Sequence, residues 1–120
     1  MPSDAAEALK DRLRADIKAA MQARAADEVR VLRTLLAAID NAQAVPVAPG
    51  QSALPTRFGD GASEVPRLVL TESALSAVLL AEIAERQRAA EAIARCGRPD
   101  EAERLRAEAA LVQRYTASAP

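Results

Sequence analysis

The side chains that could do chemistry in this sequence are carboxylates, arginines and one thiol. Histidine is absent. That removes the commonest general base and metal ligand, together with every Ser-His or Cys-His nucleophile pair. Cys96 is the single cysteine, which excludes an intramolecular disulfide and a cysteine metal cluster. Arg95 and Arg98 flank it and favour a thiolate, whereas a helix C-terminus disfavours one, so it reads as an incidental thiol. No Walker-type or dinucleotide-type glycine loop occurs, and Gly59-Asp60-Gly61 is a turn without a helix start directly behind it. Carboxylates alone could bind a divalent metal inside a helical bundle. Nearly every Glu here has an Arg at helical spacing instead, so neither metal nor cofactor is expected.

Two charged residues fall where apolar ones belong. On a helical wheel Arg86 sits within the face of Leu79, Ile83 and Ala90, and Glu108 sits between Leu111 and Val112. Folding a hairpin about residue 98 brings them within roughly a turn of each other. A structural ion pair Arg86–Glu108 at the core edge is therefore predicted, fixing register more than adding stability.

These residues must be carried by helices. The 120 residues suffice for one domain with a modest core, built from Leu, Val, Ile and Met around abundant alanine, with Phe58 and Tyr115 as the only aromatics. A core that thin gains from a partner, and a second copy is one candidate. The net charge of −1 argues against a strongly basic nucleic-acid footprint. The apolar runs are too short to span a bilayer, so no membrane association is expected. Met1-Pro2-Ser3-Asp4 leads into a charged amphipathic stretch with no signal peptide, and a cytoplasmic location is expected.

The spacing predicts an all-α fold of two αα-hairpins in a four-helix arrangement, forming a single domain over 1–120. Helix 1, about 4–24, starts at Ser3 or Asp4 and buries Ala6, Leu9, Leu13, Ile17, Ala20 and Met21. Lys10, Arg14 and Lys18 form a basic stripe beside that face, read as solvated charges. Helix 2, about 27–44, is capped by Asp27 and buries Val29, Leu32, Leu35, Leu36 and Ile39. A Pro/Gly-rich crossover occupies 45–70, with Phe58 as its bulky anchor and a short strand at 67–70 conceivable. Helix 3, about 72–96, begins after Thr71 and ends at Gly97, with Glu82–Arg86, Glu85–Arg88 and Glu91–Arg95 as helical pairs. Helix 4, about 99–115, buries Leu105, Ala109 and Val112 and closes near Tyr115.

Four segments in order resemble one family. Residues 9–21 (LKDRLRADIKAAM) are similar to the opening helix of YqeY-like proteins, and residues 31–42 (VLRTLLAAIDNA) to their second helix. Arg86-Gln87-Arg88 resembles the family's "KQR". Gly97-Arg98-Pro99-Asp100, followed by Glu108, Leu111 and Tyr115, matches a further family pattern in spacing. The resemblance covers the family's N-terminal helical domain, shared with the tail of the B subunit of glutamine-dependent aminoacyl-tRNA amidotransferase. It implies a bacterial, non-catalytic accessory that binds tRNA or an amidotransferase complex, a carbon–nitrogen ligase with glutamine as amide donor. The positions implied for tRNA or partner binding are Arg33, Asn41, Arg86, Arg88 and Arg98. The alternative is a helical scaffold or dimerising interaction module with no nucleic-acid role.

Overall fold

In the computed structural model, residues 4–44 and 68–116 are described. They form four helices: α1 (Ala5–Gln22), α2 (Ala26–Gln43), α3 (Glu72–Arg95) and α4 (Pro99–Thr116). The all-α expectation holds, with α1 against α2 and α3 against α4 as two hairpins. The anchor Phe58 and most of the 45–70 crossover lie outside the described residues. At its end, residues 68–70 form no strand, although the Leu68 N–H donates to the Gln43 carbonyl at 2.7 Å.

Each helix starts where its side chains permit. Asp4 caps α1 by accepting from the backbone N–H groups of Ala6 and Glu7, and the Thr71 hydroxyl accepts from that of Ala74. Helix α2 corrects the sequence reading. Its N-cap is Ala25, which has no side chain to cap with, and Asp27 lies inside the first turn, where it pairs with Arg30 at 3.4 Å.

Both hairpin turns use one device. At the end of α3 the Gly97 N–H donates to the Ala94 carbonyl and the Arg98 N–H to that of Ile93, with Gly97 at φ 81°. At the end of α1 the Arg24 N–H donates to Met21 and the Ala25 N–H to Ala20, with Arg24 at φ 59°. This bonding pattern needs a left-handed residue, which glycine adopts freely and arginine adopts only against a steric cost.

The core runs through all four helices. Leu13, Val31, Leu32, Leu35, Ile39 and Val112 are fully enclosed, and Leu75, Leu79 and Ile83 meet them from α3. Within the second hairpin, buried Ala90, Ala102 and Ala109 let α3 and α4 approach closely on small side chains. The first hairpin docks through α2 against α3 and α4 and through α1 against α3. Met21, read from its spacing as a core residue, is 53% exposed, because α1 ends one residue later and leaves it at the rim.

Arg24→Gly is expected to raise stability by about 0.5–1 kcal/mol, since it relieves the left-handed strain and breaks no ion pair among the described residues. Urea unfolding at neutral pH measures it. A destabilised variant would contradict the assignment of strain at this turn.

Candidate functional site

Polar groups inside a helical bundle need partners, and among the described residues three places bring such groups together. The first joins the two hairpins. Glu108, on the inner face of α4, places Oε2 at 2.6 Å from Nη2 of Arg30 on α2, and Oε1 at 3.5 Å from Nε of Arg86 on α3. The side chains of Glu108 and Arg86 are 9% and 11% exposed. Arg86 also donates through Nη1 to the Glu82 carboxylate and to the Glu82 backbone carbonyl, at 2.8 and 3.1 Å. The predicted Arg86–Glu108 pair is thus an electrostatic contact without a hydrogen bond, and Arg86 Nε is buried with no acceptor. Arg30 makes the short bond, and its guanidinium pKa is raised by the hydrogen bond to and the charge of Glu108.

The second cluster corrects the reading of Lys10 as a solvated charge. Its side chain is 3% exposed, and Nζ lies 2.7 Å from Gln43 Oε1, 2.9 Å from Asp40 Oδ1 and 3.1 Å from Glu7 Oε2. The ammonium group thus donates to Gln43 and Asp40 and pairs electrostatically with Glu7. Gln43 Nε2 in turn donates to Glu7 at 2.9 Å, tying the start of α1 to the end of α2. The signal was present in the sequence, because Lys10 stands between Ala6, Leu13 and Ile17 at helical spacing.

The third pins the end of α4 to α1. The Tyr115 hydroxyl donates to Asp16 at 2.6 Å, and the Arg12 guanidinium stands 4.6 Å from the ring centroid. Burial, and then the hydrogen bond to the Asp16 carboxylate, push the phenol's pKa above its ordinary value.

The residues implied by the resemblance lie on α2, on α3 and at the α3–α4 turn. Arg33 and Asn41 are exposed on α2, and Arg88 is exposed on α3. Arg98, at the α3–α4 turn, is 70% exposed and lies 3.3 Å from Glu101. Arg86 is committed to Glu82 and Glu108 in the seam between hairpins. Of the helical pairs expected on α3, Glu82–Arg86 forms at 2.8 Å, whereas Glu85–Arg88 and Glu91–Arg95 do not close to ion-pair distance. Cys96 is an exposed free thiol. Among the described residues no group of three or more Cys, Asp or Glu side chains is arranged to hold a metal ion, and no helix is long and apolar enough to cross a membrane.

One surface feature was not foreseen from the sequence. An open groove of about 790 Å³ runs from the end of α1 along an outer face of α2. Arg24, Arg30 and Arg33 supply its charged groups, and among the described residues no carboxylate lines it. Arg30 and Arg33 are neighbours by helical spacing on α2, and the hairpin turn adds Arg24 to them.

Ionising Tyr115 would break its bond to Asp16, so the raised phenol pKa stabilises the fold below the unfolded value of about 10 and is lost as pH rises above it. Tyr115→Phe is expected to cost about 1 kcal/mol at neutral pH. The gap between wild type and variant should then narrow as the pH rises through about 10 and beyond. A gap that stays constant across that range would contradict the assignment.

The chain matches no family model, no curated protein and no solved structure.

Proposed function

We propose that this chain is a non-catalytic helical accessory that works by binding, with tRNA or a glutamine-dependent tRNA amidotransferase assembly as its target. The observation that carries this reading is the state of two arginines at positions where the sequence resembles YqeY-like proteins. Arg33 and Arg88 are exposed and have no carboxylate partner among the described residues. Arg33 donates to the Met21 sulfur at 3.7 Å. A guanidinium left without an internal anion is free to meet phosphate or carboxylate in a fork geometry. Asn41 and Arg98 extend the same exposed set, and a cytoplasmic setting accords with such a target.

A scaffolding or dimerising role is the second reading. It is favoured by exposed apolar side chains, Leu80 at 57% and Val69 at 76%. These could be covered by a second copy.

The two readings separate on salt. Phosphate contacts release counterions, so tRNA affinity measured by gel shift should fall steeply with salt, whereas apolar helix packing does not. Reversing Arg33 and Arg88 to Glu is expected to abolish the shift and leave helicity unchanged. No shift at low salt would sink the tRNA arm, and a dimer by light scattering would then support the scaffold.

A further inference from the structure

We propose that the groove along α1 and α2 is a docking site for an acidic amphipathic helix of a partner protein. The inference rests on the reading of this chain as a binding module and names the class of partner.

The shape fits a helix. The α2 wall is built from Ala26, Val29, Arg30, Arg33, Thr34 and Ala37, which follow the helical repeat of three and four, so it presents one continuous face. That face runs about 17 Å, roughly three turns. Helix-in-groove recognition uses the same period on the partner, with anchors at i, i+3 or i+4, and i+7.

The chemistry selects the partner's charge and its inner face. The lining includes the apolar side chains of Met21, Val29 and Ala37, and among the described residues its charged groups are all arginine. This is a local excess of one sign on a chain whose carboxylates outnumber its cations, 17 to 16. An acidic helix with an apolar stripe satisfies both features. A phosphodiester backbone would satisfy the arginines but leave the apolar lining bare, and among the described residues no aromatic side chain lines the groove to stack a base. A second copy using the same patch about a two-fold axis would set arginine against arginine.

Arg24 adds an argument from conformation. It holds the left-handed position that glycine fills at the other hairpin turn, and it makes no ion pair among the described residues. A cation at a strained backbone position that also lines the groove fits a binding role. Arg30 serves two purposes, since its guanidinium is bonded to Glu108 while its side chain lines the groove. It is therefore left intact in the test.

The test titrates the full chain with a labelled synthetic helix of about five turns, carrying leucine along one stripe and glutamate beside it. Control peptides replace Glu by Lys, or Leu by Ser. Amide chemical shifts locate binding, and bulk tRNA is titrated in parallel. The acidic helix is expected to shift residues between Met21 and Ala37. Its affinity should fall about ten-fold or more for Arg24→Gly combined with Arg33→Gln, and for the Ser-substituted peptide. Because Arg24→Gly relieves strain, a loss of binding in that variant is not a loss of fold. Absence of acidic-helix binding, or equal binding by the variant, would overturn the proposal. Shifts at Arg24 and Arg33 caused by tRNA and not by the peptide would overturn it too, while leaving the accessory reading standing. Binding of neither would remove both.

Discussion

One carboxylate lies where the two hairpins meet. Glu108 faces Arg30 from the first hairpin and Arg86 from the second; the side chains of Glu108 and Arg86 are nearly buried and that of Arg30 is half exposed. Each hairpin is a local structure that its own sequence can form, but their mutual placement depends on contacts far apart in the chain. Leucine, isoleucine and valine supply the apolar part of that seam and are tolerant of small rotations. A carboxylate between two guanidinium groups is not tolerant, because any shift strands a buried charge. Its contribution is therefore to choose one docking geometry among several of similar apolar burial. Arg86 shows the cost of that choice. Its Nε is buried without an acceptor, and the short bond goes to Arg30.

The remaining structure follows from placing polar groups at the ends of helices and small groups between them. Lys10 with Glu7, Asp40 and Gln43 closes the open end of the first hairpin. Tyr115 with Asp16 and Arg12 fastens the last turn of α4 to α1. Alanines at 90, 102 and 109 bring α3 and α4 close enough for dispersion to replace the missing aromatic bulk. The far end of the first hairpin is built differently. Helix α2 begins at an alanine without a side-chain cap, the turn is held by a strained arginine, and the groove opens beside them. Stability is concentrated at one end of this hairpin and an accessible, arginine-lined surface at the other.

Much of this was legible in the residues. Helical periodicity placed four helices within a few residues of their ends, and Gly97 with Pro99 marked the second turn. Arg86 and Glu108 stood out because they interrupt apolar faces. Lys10 interrupts one as well, and only its flanking Arg14 and Lys18 made it look like part of a solvated stripe. The groove was not legible for a different reason. It depends on Arg24 taking a backbone conformation that arginine rarely adopts, and on Met21 falling outside the core when α1 stops. Arg30 was missed because its partner is 78 residues away on another hairpin.

The account turns on Glu108 holding the hairpins in register through Arg30, and a double-mutant cycle reads that coupling directly. Arg30→Met and Glu108→Gln, singly and together, would be compared by urea unfolding at neutral pH. The account expects a coupling energy of about 1–2 kcal/mol, the double variant being less destabilised than the sum of the single ones. Effects that add to within about 0.3–0.5 kcal/mol would show that the hairpins dock without this carboxylate, and would contradict it.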